Sequence, residues 1–307
     1  MNPQISVAIC TLNRADYLRK AILSLTQQTL DTDLYEILVI DNNSTDQTKK
    51  VATEEFSHLP NLKYLFEPVL GLSQARNTAW KHSRGQYVAY LDDDAIASPH
   101  WLEKILEVFN TSEPRPGCVG GKVEPIWEEP RPDWLSDKLL PYLTVIDWSD
   151  TPIILKGNKY AAGANMAFPK EVIEEIGGFE TRLGRKGKNL LSNEEVYVRD
   201  QLNSLDYEIR YHPQASVKHH VSASRLRKQW FIDRSYWQGV SRAVQLNLQK
   251  QLDRKERNTL ALSEIKAMIS SPKFLFNLLI PPYNLKRLEL KCYIYARLGY
   301  TVALLKH

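Results

Sequence analysis

At 307 residues, with 43% hydrophobic and 25% charged side chains, the chain has the composition of a folded globular protein, which excludes a disordered or fibrous one. That length can bury one large core, or one catalytic core with an appendage. The net charge of +4 conceals an asymmetry: residues 218–307 carry 17 Lys and Arg against 5 Asp and Glu, a balance of +12, while residues 1–217 stand at −8. An acidic front joined to a basic back implies two parts with different partners.

In chain order, the opening MNPQISVAIC has no basic n-region, so no signal peptide is expected. Ile5 to Cys10 forms a short apolar strand. Asn13 then reads as the cap of a helix whose apolar positions Tyr17, Leu18, Ala21, Ile22 and Leu25 share one face. Ile37–Ile40 is the second strand, ending at Asp41, and Ser44 with Gln47 has the spacing of a capping box. Leu62–Phe66 is a third strand. Gly71 leads into a helix holding Ala75, Arg76, Ala79 and Trp80. Tyr87–Leu91 follows as a buried strand, running into three consecutive carboxylates, Asp92, Asp93 and Asp94.

Strand–helix alternation with polar residues at every strand end predicts an α/β fold, a doubly wound and mainly parallel sheet flanked by helices. Ligands of such sheets collect beyond the carboxyl ends of the strands. Three crowded carboxylates repel unless a cation sits among them, and oxygen clusters hold hard divalent ions. The triple aspartate therefore suggests a metal–diphosphate site. The competing reading is an acidic turn before a helix started by Ser98 and Pro99. Thr11, Asn13 and Arg14 follow the first strand, Asp41 the second, and Arg76 lies in the helix before the acidic strand. Each has a structural alternative as cap, turn or solvated charge; together they make a nucleotide pocket. No G-x-G-x-x-G follows the first strand and no P-loop is present, which argues against a dinucleotide or P-loop site.

Farther along, Trp127 and Trp134 flank an EEPRPD segment, aromatics that could stack on flat ligand rings or pack a turn. Leu183–Asn189 is cationic and glycine-punctuated, suited either to closing over a diphosphate or to being an exposed loop. Ala215–Lys218 is a short strand before His219-His220. Arg225–Lys255 and Lys286–Leu305 read as basic helices with aromatic anchors, separated by the apolar run Phe274–Ile280. No uncharged apolar stretch approaches the ~20 residues of a spanning helix. The basic helices could lie on an anionic membrane surface, or pack on the core or on a second copy as a homodimer. Nucleic acid is argued against by the acidic front. Cys10, Cys118 and Cys292 are scattered without ligand spacing and read as free thiols, which fits the cytoplasm.

The stretches SVAICTLNRADYLRKAILSL, EILVIDNNSTDQT, GLSQARNTAW, GQYVAYLDDDAIASPHWL, GANMAFPKEVIEEIGGFE and SNEEVYVRDQL, in this order over about the first 220 residues, resemble the family 2 glycosyltransferases, inverting enzymes of the GT-A fold. The resemblance implies a catalytic domain at 1–222, with a nucleotide half at about 1–98 and an acceptor half at about 99–222, followed by a basic helical extension at 223–307. It makes Thr11, Asn13, Arg14, Asp41 and Arg76 contacts to a nucleotide sugar, most often a UDP-sugar. Asp92 and Asp94 become the ends of a DxD motif, with Asp94 the direct ligand of Mg²⁺ or Mn²⁺, Asp92 nearer the ribose and Asp93 completing the cluster. The family's base comes from a Glu-Asp pair opening a helix; here it reads Glu194-Glu195, so Glu195 takes the base position one methylene longer, and Glu194 is the second candidate. His219 is the expected imidazole ligand, with His220 in reserve. The function implied is transfer of a sugar to a hydroxyl of a glycan or lipid-linked acceptor, at the cytoplasmic face of a membrane if the tail docks there. A nucleotidyltransferase, or an inert sugar-nucleotide-binding scaffold, are the other readings the residues allow.

Overall fold

The computed structural model describes residues 2–187, 189–282 and 284–306, so Lys188 of the glycine-punctuated loop lies outside them, as does the side chain of Leu275. The chain forms two compact units. The first comprises Met1–Ile126, Thr144–Thr181 and Glu194–His220; the second comprises Trp127–Leu143, Arg182–Asn193 and Val221–His307.

The first unit is built on β1 (Ile5–Thr11), β2 (Tyr35–Asp41), β3 (Leu62–Phe66) and β4 (Tyr87–Leu91), with α1 (Ala15–Leu25), the helical turn α2 (Thr48–Lys50) and α3 (Leu72–His82) between them. These four strands pair in parallel in the order β3-β2-β1-β4. β2 and β4 are buried along their whole length and β1 almost so, as expected of parallel strands covered on both faces. Alternate residues feed two cores. Ile5, Val7, Ile9, Ile37, Val39, Ala89 and Leu91 face Leu18, Ile22 and Leu25 of α1. Ala8, Leu38, Ile40, Val88 and Tyr90 face the other side with Ala75 and Ala79 of α3.

Five further strands extend this sheet: β5 (Ala95–Ala97), β6 (Cys118–Trp127), β7 (Ile153–Ile154), β8 (Asn165–Pro169) and β9 (Ile209–Val221). β8 pairs antiparallel with both β4 and β6, and β9 with both β5 and β7. Asn165 ties this half together. It is fully buried, accepts from Trp101 Nε1 at 2.8 Å, and donates to the Lys122 and Ala215 carbonyls at 3.1 and 2.8 Å. The helices α4 (Trp101–Thr111), α5 (Lys170–Glu175) and α6 (Glu194–Ser204) complete the unit.

Several local expectations are corrected. Asn13 does not cap α1: with φ at +55° it accepts from the Thr45 amide at 2.7 Å, and Asp46 takes the Ala15 amide at 3.1 Å instead. A carboxylate after β2 thus caps the helix after β1, a non-local cap that no local spacing announces. Ser44 and Gln47 form no capping box, because the Ser44 amide turns back to Asp41 Oδ1 at 2.8 Å. α4 starts at Trp101 rather than at Ser98–Pro99. The strand read as Ala215–Lys218 is the longer β9.

The second unit is helical: α7 (Lys228–Lys250), α8 (Arg254–Ile269), α9 (Pro272–Leu279) and α10 (Leu285–Lys306). The expected single helix from Arg225 to Lys255 breaks at Gln251, which turns left-handed at φ +50°, and Asp253 with Glu256 restarts it through a capping box. α7 and α10 approach backbone to backbone, since a Cβ on Gly239 would overlap the Ala296 carbonyl and one on Gly299 the Tyr236 carbonyl. The 182–193 segment is fastened to α7: Asn193 donates to Gln245 Oε1 at 2.8 Å and accepts from Gln238 Nε2 at 2.6 Å. Among the described residues, no helix is long and apolar enough to cross a membrane.

Candidate active site

β4 delivers Asp92–Asp94 at the sheet's carboxyl edge, and the chain turns at once into β5, which pairs with β9 in the register Ala95↔His219. The His220 amide donates to the Asp94 carbonyl at 2.9 Å, fixing that register beside the acidic turn. His219 Nε2 therefore lies 3.1 Å from Asp94 Oδ1. Asp92, Asp94 and His219 each offer a ligand atom, and all three atoms lie within 4.8 Å of one another. Asp94 and His219 are buried and Asp92 is half-buried. Two carboxylate oxygens and an imidazole nitrogen fit Mn²⁺ or Mg²⁺, with the nitrogen favouring the softer Mn²⁺.

The repulsion within the triple aspartate is met by Arg14, just after β1. Its Nη1 donates to Asp93 Oδ1 at 2.8 Å and to Asp94 Oδ2 at 2.7 Å. Burial still outweighs that cation at Asp93: desolvation, joined by the Asp94 charge, raises its carboxyl to about 6.

Arg76 is the second hub, and it is buried rather than solvated. Its Nη1 donates to Glu194 Oε1 at 3.0 Å, and Nη2 lies 3.5 Å from Asp92 Oδ1. The Phe179 ring covers the guanidinium at 5.4 Å, and the Tyr90 hydroxyl donates to the Arg76 carbonyl at 3.1 Å. Glu194, buried at the first turn of α6, is committed to this pair; Glu195 is half-buried and takes no hydrogen bond from Arg76. Gly163 makes room for both groups. A Cβ there would overlap Arg76 Nη2 and stand 2.6 Å from Glu195 Oε1.

Thr11 and Asp41 sit side by side in the β1–β2 register. Asp41 is buried, and its two oxygens accept from Tyr64 Oη and the Ser44 amide, both at 2.8 Å. Asn42 links the loop after β2 to the approach to α3, donating to the Glu67 and Val69 carbonyls and accepting from the Gly71 amide at 2.8 Å. The structure therefore gathers Arg14, Arg76, Asp92, Asp93, Asp94, Glu194 and His219 into one connected cluster, with Glu195 across Gly163. Thr11, Asn13 and Asp41 line the neighbouring strand ends. Cys10, next to Thr11, is held as a thiol because burial pushes it up to about 12.

Trp127 and Trp134 belong to the helical unit, where Trp134 packs edge-on against Phe231 at 5.6 Å with Lys228 Nζ 5.9 Å from its ring. Reading the sequence missed Gly163, Phe179 and Asn77. Asn77 grips Phe179 through paired amide contacts, both 2.8 Å, at a turn where Gly178 adopts φ +77°. The GGF triplet carried the signal, since two glycines before an aromatic mark a tight turn presenting a ring.

The curled, mainly parallel sheet that carries this cluster, with its flanking helices, has the GT-A fold. The chain belongs to glycosyl transferase family 2, whose model matches residues 6–177. It is 27% identical to a glucosyl-dolichyl phosphate glucuronosyltransferase of Haloferax volcanii, over 78% of this chain and 77% of that protein. It is 32% identical to the glycosyltransferase AglE of the same organism, over 59% of this chain and 57% of that protein. Among solved structures it resembles a mannosyltransferase from Pyrobaculum calidifontis in complex with GDP-Man and Mn²⁺, with TM-score 0.59 at 20% identity, covering 99% of this chain and 74% of that one. It also resembles Staphylococcus aureus TarS in complex with UDP, with TM-score 0.55 at 16% identity, covering 98% and 90%. These likenesses establish the fold.

Proposed function

We propose that the enzyme moves a sugar, with inversion, from a UDP-sugar to a hydroxyl of a glycan or lipid-linked acceptor, with Mn²⁺ or Mg²⁺ held by Asp94, Asp92 and His219. The convergence of these three ligand atoms within 4.8 Å is the observation that carries the reading. Bound by these residues, the ion would supply positive charge against the diphosphate as the sugar–phosphate bond breaks. Arg76 holds Asp92 and Glu194 in place, Arg14 anchors Asp93 and Asp94, and Thr11, Asn13 and Asp41 meet the nucleoside. Glu195, half-exposed and outside the arginine pair, takes the acceptor proton as that oxygen bonds to the anomeric carbon. The bonding pair of the broken C–O bond leaves with the nucleoside diphosphate. The 27% identical dolichyl phosphate enzyme supports a lipid-linked acceptor. Neighbours solved with UDP and with GDP-Man and Mn²⁺ support a nucleotide sugar and a metal. A hydrolysis panel of UDP-, GDP- and dTDP-sugars with Mg²⁺, Mn²⁺ or chelator tests it. Metal-dependent turnover of a UDP-sugar is expected; turnover unaffected by chelator, or confined to GDP-sugars, overturns the metal or the nucleotide part respectively.

Residues 223–307 carry a second proposal, docking on the anionic cytoplasmic face of a membrane. Their helices expose Leu262, Ile269, Phe276, Leu279 and Tyr293 among the basic residues. Each nearby Lys or Arg contributes about 1 kcal/mol at an anionic surface, and the apolar side chains supply a salt-resistant part. Catalysis is assigned to residues 1–222 and docking to the extension. In liposome flotation, binding should rise with anionic lipid and fall with salt. A protein that ignores such liposomes and runs as a dimer would assign the helices to self-association.

A further inference from the structure

The helical unit contains a cavity of about 390 Å³ between the 182–193 segment and helices α7, α8 and α10, within the ~300–1,000 Å³ range of small-molecule sites. Its walls are mainly apolar and include Trp237 and Val244 from α7 and Leu304 from α10. Its charged lining is of one sign: Arg182 and Lys186 from the segment and Arg257 from α8, with no carboxylate among the described lining residues. Arg257 spends Nη1 on the Leu252 carbonyl at 2.8 Å. Its Nε is buried without a hydrogen-bond partner among the described residues, and the same holds for Oδ1 of Asn247, another lining residue. The cavity thus joins mainly apolar walls to a cationic lining.

We infer that this cavity binds a single-chain lipid phosphate. The phosphate meets Arg257, Arg182 and Lys186, and the hydrocarbon runs along Trp237, Val244 and Leu304. Arginine matches phosphate through charge-assisted, forked hydrogen bonds. The apolar wall gains from the chain what it cannot gain from water. The assignment is independent of the transfer reaction: it concerns binding in the helical unit, and neither donor nor metal enters its test, so failure of the one is distinguishable from failure of the other.

The full chain, without donor or metal, is titrated with dodecyl phosphate below its micelle concentration, following tryptophan emission and, in parallel, calorimetric heat. Saturable one-site binding is expected, at least tenfold tighter than dodecanol or inorganic phosphate. Trp237→Phe should remove most of the fluorescence change while the calorimetric signal remains. Lys186→Glu, at an exposed position, should weaken binding at least tenfold with an unchanged melting curve, and Val244→Trp should block the cavity. Should the Val244 variant fail to fold, the Lys186 variant alone decides. Equal binding of dodecanol would make this a plain apolar void. Equal binding of inorganic phosphate would make it an anion site. Binding only to vesicles of dodecyl phosphate and lipid, and not to the monomer, would assign these cations to the membrane surface. Each of these outcomes, or indifference to Lys186→Glu, overturns the assignment.

Discussion

Glu195→Gln is expected to cut sugar transfer by about 10²–10⁴-fold while leaving donor affinity nearly unchanged, because it keeps the shape of the side chain and deletes its basicity. The neighbouring position should behave differently. Glu194 is buried with Arg76 at 3.0 Å, so Glu194→Ala leaves the buried guanidinium with the longer 3.5 Å approach to Asp92, a loss toward the ~3–5 kcal/mol that breaking a buried pair costs. A lowered melting temperature and weakened donor binding together are the signature of that positional role. Single-turnover transfer, donor calorimetry and thermal melts on the two variants separate the assignments. Near-normal transfer by Glu195→Gln with an inactive Glu194→Gln would move the base to Glu194, and full activity in both would remove it from α6.

Asp94→Ala should abolish the metal dependence of donor binding with the fold retained. The residue is buried, in contact with His219 Nε2 at 3.1 Å and with Arg14 at 2.7 Å. Its removal takes away one of three converging ligand atoms while leaving Arg14 its bond to Asp93. Calorimetry of UDP binding with and without Mn²⁺ reads the result. An equal effect of Mn²⁺ on wild type and variant would place the ion elsewhere, and no effect on either would remove it from the reading.

Much of this was legible in the sequence because the parallel strands are short, wholly buried and bounded by polar residues. Tyr87–Leu91 was read with its observed limits, and the acidic turn followed by necessity. What escaped was non-local. The carboxylate capping α1 comes from Asp46, thirty-one residues from the amide it receives. Arg76 looks like any helix charge until Glu194 and Phe179 arrive from the far half of the chain to bury it. Gly163 is visible only as space, between two side chains that share no sequence neighbourhood with it. Periodicity reports what one segment presents; it is silent on which distant segment comes to meet it.

The pairing of three-residue β5 with β9 has a consequence for how the enzyme comes into being. Asp94 and His219 are brought together by strands more than a hundred residues apart in the chain. Such long-range closure is slow relative to the local pairing of β1 and β2. During synthesis, a polypeptide emerged only as far as Asp94 carries all three aspartates, Arg14 and Arg76, but not Glu194, Glu195 or His219. The four parallel strands all precede in the chain the glutamate proposed to deprotonate an acceptor. On the proposed assignment of Glu195 and His219, the site is complete only with the last strand of the sheet, so a chain stalled or clipped before residue 194 would carry neither the base nor the imidazole ligand.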